Sequence, residues 1–220
     1  LVNKYDRTKM ALEHGIDLVI ELPVIAATSS AETFAQGGVC LLDSLGVVSH
    51  ISFGAEANTT SDIDMLDKLA DFFAFEPPAF QKYLDLELKS GCSFPAARAK
   101  AAVLCLQQMA FDSMNTDTVA QLVQLLASPN NILAIEYMKA IRRQNLKLTP
   151  SVVTRNGAGY HDTDTDTELA SASALRKFIF QDNSCQETDS EVLNQMLTRT
   201  VPDSVRELLL NAYKTHAFLQ

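Results

Sequence analysis

The chain has 220 residues, 47% hydrophobic and 20% charged, with a formal net charge of −9. This composition suits one large or two small globular domains and argues against a chain that coats nucleic acid by charge alone. No apolar run is long enough to span a bilayer and no cleavable signal stands at the start. Cys40, Cys92, Cys105 and Cys185 form no CxxC pair, and no His lies at zinc spacing, so a reduced, cytoplasmic protein is expected.

In chain order, residues 4–14 read as a helix stopped by Gly15. The apolar run 16–22, closed by Pro23, reads as a buried strand. A helix follows over 31–45, then a second strand over 47–53 that runs into Gly54-Ala55-Glu56. Strand, helix, strand with short joints is a βαβ unit, and therefore a parallel sheet with a right-handed crossover. Residues 61–126 hold no strand candidate and read as helices at 62–74, 78–90, 93–109 and 115–126. A helix over 129–144, a strand over 147–154, a polar loop over 155–170, a helix opening at 171 and two helices within 188–219 complete the pattern. The predicted architecture is α/β: 1–60 and 127–180 form a Rossmann-like nucleotide-binding domain, 61–126 a helical insertion, and 181–220 the start of a C-terminal helical region. The chain opens on Leu1 and closes on an amphipathic run without a stop signal, so an internal segment of a longer protein is expected.

Ligands bind open parallel sheets at the carboxyl ends of the strands, and three polar features fall there. The first is Gly54, where a missing side chain lets a ligand approach the backbone. The second is Ser128-Pro129-Asn130-Asn131, directly before the apolar helical run Ile132, Leu133, Ile135, Met138 and Ile141. Unpaired backbone N–H groups and two carboxamides converge there, which suits an anion or a polar ligand; an ordinary serine-capped helix is the plainer alternative. The third is Arg155 with Asn156, followed by glycines, where a guanidinium suits phosphate. Further on, Ser171 and Ser173 open a helix with Arg176 one turn in, an arrangement that can bind a phosphate and neutralise it. Arg142, Arg143 and Lys147 form a small basic cluster. Asp162, Asp164 and Asp166 resemble the start of a calcium loop, but Thr167 stands where the glycine is required and Ser173 where the bidentate glutamate is required, so no metal site is expected. Arg7, Lys9 and His161 could face a phosphate or substrate, or could simply be solvated.

Taken together, Arg7 to Leu12, Gly15 to Pro23, Phe53-Gly54, Ser128 to Leu133, Tyr160-His161-Asp162 and Ser171 to Arg176, in this order, resemble the bacterial tRNA(Met) cytidine acetate ligases. These are a branch of the HIGH-motif nucleotidyltransferase superfamily. The resemblance implies a Rossmann-like fold of the kind shared with class I aminoacyl-tRNA synthetases. It also implies ATP-dependent activation of acetate, with Mg2+, to acetyl-adenylate, and transfer of the acetyl group to the wobble cytidine of elongator tRNA(Met). By the same resemblance Gly54, Asn130, Asn131, Arg155 and Asn156 would contact ATP, while Ser171, Ser173 and Arg176 would hold the departing pyrophosphate. All of these would surround one cleft. The strand order it implies, 3-2-1-4-5, assigns 16–22, 47–53 and 147–154 to strands three, four and five. The family's Asn-Pro-Phe-His-x-Gly-His signature has no match in these residues and is expected upstream of Leu1, with two central strands, so this segment alone is expected to be inactive. A small-molecule adenylyltransferase and a non-catalytic nucleotide- or RNA-binding remnant remain open as other readings.

Overall fold

The computed structural model describes residues 2–109, 115–154, 176 and 187–215. Two compact units emerge: Leu22–Arg155 form one, and residues 1–21 with 156–220 form the other.

In the first unit, α2 (Val24–Ala27) and α3 (Ala31–Ser44) precede β1 (His50–Ala55). Then come α4 (Thr60–Phe75), α5 (Pro78–Lys89), α6 (Phe94–Met109), α7 (Thr116–Ala127), α8 (Pro129–Arg143) and β2 (Thr149–Thr154). Local chemistry sets these bounds. Ser30 and Asn115 cap α3 and α7, while Thr59 and Asp62 form a reciprocal capping box at the start of α4. Helix α8 ends in a Schellman turn: Asn145 takes φ 51°, and the Leu146 N–H bonds the Ile141 carbonyl at 3.0 Å. At Gly37 an added Cβ would lie 2.6 Å from the Ala26 Cβ, so glycine is what lets α2 rest on α3.

Strands β1 and β2 pair in parallel, from His50 with Thr149 to Ala55 with Thr154. This is the direct pairing of the fourth and fifth strands expected from the family order. Helix α8 packs on the pair and carries much of the core. Ile135 and Met138 join Leu66, Phe73, Phe80 and Leu122 on one side. Ile141 and Ala140 join Val39 and Ile51 on another. Phe72, Phe73 and Phe80 meet edge to face with centroids 5.2–5.7 Å apart.

In the second unit, α1 (Lys4–Glu13), α9 (Glu187–Thr200) and α10 (Asp203–Lys214) bury Leu193, Leu197 and Leu209, with Met10 and Val205 packed against them.

Two differences from the sequence expectation stand out. The run 16–22 forms no strand: Ile16, Leu18, Val19 and Ile20 are 37–66% exposed. A parallel strand needs a neighbour for its backbone groups, and among the described residues the sheet contains β1 and β2 alone. The strand expected at 47–53 begins later, at His50, and runs through Gly54 and Ala55.

Candidate functional site

The carboxyl end of β1 and the start of α8 meet through side chains more than seventy residues apart in sequence. The Asn131 side-chain carbonyl accepts the Glu56 backbone N–H at 2.8 Å. The Asn130 amide donates to one Glu56 carboxylate oxygen at 2.6 Å, and the Ser128 hydroxyl donates to the other. The ordinary-cap alternative therefore fails here: Ser128 makes no side-chain cap on α8, because its hydroxyl is committed to Glu56. Pro129 holds the first helical position, where its missing N–H costs nothing.

This arrangement refines the sequence reading. An anion does stand near the α8 start, and it is the protein's own Glu56. Asn131 is 1% exposed, and its side-chain carbonyl is spent on the loop. Asn130 and Glu56 are half-buried, and Gly54 is exposed in β1 opposite Val153. The structure thus brings Gly54, Asn130 and Asn131 to one end of the strand pair. Arg155, Asn156, Ser171, Ser173 and His161 lie outside the described residues. Arg176 is helical and exposed, and it belongs to the other unit. Sequence reasoning gave Glu56 no role; its nearest signal was its place directly after a strand.

The middle of α8 is built differently. Glu136, 2% exposed, lies 2.6 Å from Arg98 and 2.9 Å from Lys139. Lys139 also reaches Glu32 at 2.7 Å, and Arg98 lies 4.0 Å above the Phe73 ring. The Arg98 and Glu136 contacts have ion-pair distances without hydrogen-bond directionality. These groups border a cavity of about 220 Å³ walled by Phe73, Phe94 and Ile132. The Lys139 hydrogen bond holds the Glu32 carboxyl below the usual glutamate range, against the opposing cost of burial.

The expected basic cluster is neutralised. Arg142 pairs with Asp67 and Asp71 at 2.5 Å each, and Arg143 pairs with Glu32 at 3.2 Å and bonds the Ala74 carbonyl. Lys147 is exposed. Two of the three charges thus bind the protein's own carboxylates: α4 presents Asp67 and Asp71 to Arg142, and α3 presents Glu32 to Arg143.

The family model described as HIGH Nucleotidyl Transferase matches residues 1–220. The chain belongs to this family. Relatives of the chain include the tRNA(Met) cytidine acetate ligase of Clostridium perfringens (strain SM101 / Type A), 47% identical over 83% of the chain and 44% of the relative. The enzyme of the same name from Thermoanaerobacter sp. (strain X514) is 40% identical over 97% of the chain and 47% of the relative. The chain therefore spans less than half the length of these curated relatives. Among solved structures, apo Thermotoga maritima TmcAL superposes with a TM-score of 0.80 at 30% identity, over 97% of this chain and 46% of that one. TmcAL bound with alpha-thio ATP superposes at 0.77 with 29% identity, over 97% and 45%. In this chain the helix-rich α/β framework is built on a parallel strand pair, and the overall fold is shared with apo TmcAL.

Proposed function

We propose that the protein is an ATP-dependent ligase that activates acetate as acetyl-adenylate and acetylates the wobble cytidine of elongator tRNA(Met). The observation that carries this reading is the family match over the whole chain together with relatives that bear the ligase name. A structural neighbour holding an ATP analogue supports the nucleotide. In the first step an acetate oxygen attacks the α-phosphorus and pyrophosphate leaves. In the second, the cytidine exocyclic amine attacks the acetyl carbonyl and AMP leaves, the amine giving up a proton. Neither step needs a protein nucleophile. Both need oriented donors and positive charge around the phosphates, with Mg2+ sharing that charge.

Within this reading Gly54, the Asn130 side chain and the α8 start border the nucleotide, and Asn131 acts by holding the Glu56 loop. Arg155 and Asn156 contact ATP, while Ser171, Ser173 and Arg176 hold the departing pyrophosphate. The enzyme works in the cytoplasm, where ATP, acetate and tRNA meet.

Arg142 and Arg143 are committed to the protein's own carboxylates instead of standing ready for a polynucleotide backbone, which favours a small-molecule adenylyltransferase as the second reading. One experiment separates the two. Full-length protein is incubated with ATP, acetate and tRNA, and the wobble nucleoside is analysed by mass spectrometry. N4-acetylcytidine appearing only with ATP and acetate together supports the ligase. An unmodified cytidine beside acetate-dependent ATP consumption would refute the tRNA acceptor.

A further inference from the structure

Glu56 combines three properties that no other described side chain at this end of the sheet shares. It follows β1 directly, at the strand's carboxyl end. Its position is fixed from three directions: the Asn131 carbonyl holds its backbone N–H, and Ser128 and Asn130 hold its two carboxylate oxygens. Its ion-pair partners among the described residues are none, and it is only half-buried. A carboxylate offers about four acceptor sites, and two are used here. The remainder of the group is a preorganised acceptor with no donor capacity.

That chemistry discriminates between the parts of a nucleotide. A fixed negative acceptor repels phosphate oxygens and attracts hydroxyl groups. The ribose supplies two adjacent hydroxyls that a single carboxylate can bind, the chemistry by which an Asp or Glu holds the ribose in dinucleotide-binding doubly wound folds. We propose that Glu56 reads the ribose hydroxyls of the bound nucleotide and sets the preference for a ribonucleotide over a deoxyribonucleotide. Ser128 and Asn130 are positioning residues that aim the carboxylate. The start of α8 then faces the nucleoside, and the triphosphate extends away from Glu56. This inference rests on the ATP reading above.

The test measures equilibrium dissociation constants of ATP, 2′-deoxy-ATP and 3′-deoxy-ATP for the full-length protein and its Glu56→Gln and Glu56→Asp variants. Gln keeps one acceptor oxygen for Asn130 but removes the charge. Asp keeps the charge but withdraws it by one methylene, and serves where the Gln variant does not fold. Wild type is expected to bind ATP at least about tenfold more tightly than one of the deoxy analogues, the scale for losing a hydrogen bond to a charged group. In either variant the ratio falls to within about threefold, because ATP weakens while the deoxy analogue holds its affinity. Equal weakening of all three nucleotides would show a purely structural latch and overturn the proposal, as would a wild type that does not discriminate. A wild type that binds none of the three would refute the ATP reading itself, which is a distinguishable failure.

Discussion

The two halves of α8 use charge in opposite ways. Around its start, one carboxylate is held by neutral donors, half-open, with acceptor capacity left over. From Glu136 onward the charges are more numerous, but they answer one another: Arg98, Lys139, Arg142 and Arg143 all end on the protein's own carboxylates. The larger collection of charged residues is therefore the structural one. A buried ion pair is demanding because removing one partner strands the other in a medium that cannot solvate it. A half-open acceptor fixed by neutral groups is cheaper to maintain and is free to meet a ligand. Abundance of charge is a poor guide to function; unused hydrogen-bonding capacity in a fixed place is the better one.

The largest expected effect belongs to the structural half. Glu136→Ala leaves Arg98 and Lys139 without their buried partner and should cost about 3–5 kcal/mol of stability in urea unfolding. The folded fraction should keep its ATP affinity. A variant of wild-type stability would break the contrast between the two halves. Asn131→Ala comes next. It removes the acceptor for the Glu56 N–H and should cost about 1–3 kcal/mol, measured the same way. Unlike Glu136→Ala, it should also weaken ATP binding, because the Glu56 loop loses its anchor.

Arg142→Met should change stability by less than about 1 kcal/mol, since its carboxylate partners are half-exposed and screened by water. It should leave both tRNA affinity and its salt dependence unchanged. A fall of about one in the slope of log affinity against log salt would instead mark Arg142 as a phosphate contact. The smallest effect concerns acidity. The Glu32 carboxyl is held below the ordinary value of 4.5 by Lys139 and Arg143. It therefore adds stability at higher pH that is lost as pH falls below that value. Glu32→Gln should remove this part of the acid sensitivity, so the difference between wild type and variant should shrink on going from pH 6 to pH 3. A difference that grows on acidification would reverse the sign of the linkage.

Much of this was legible in the sequence because it is local. Helical periodicity with Ser, Thr and Asn caps set most helix bounds to within a residue or two, and Pro129 with its asparagines marked the start of α8. The four-residue α2 was missed, since 24–27 is too short to show a period. The strand at 16–22 was expected from its apolar content and from the strand order the resemblance implies, but a strand exists only through its neighbours. Ser128 reads as a cap in any sequence scan. Its actual partner, Glu56, lies 72 positions away, and no local pattern signals that distance. The same holds for Arg142 and Arg143, which read as a basic patch until α4 places Asp67 and Asp71 against the first and α3 places Glu32 against the second.

The contrast within α8 can be measured in one experiment: hydrogen–deuterium exchange of the full-length protein with and without saturating ATP. Nucleotide should slow exchange at 54–59 and 130–133, where the Glu56 loop meets the helix start. Amides over 136–143 should be unchanged, because that half is already satisfied by the protein itself. Protection centred on 136–143, with none at 54–59, would contradict the account and place the ligand at the buried charges instead.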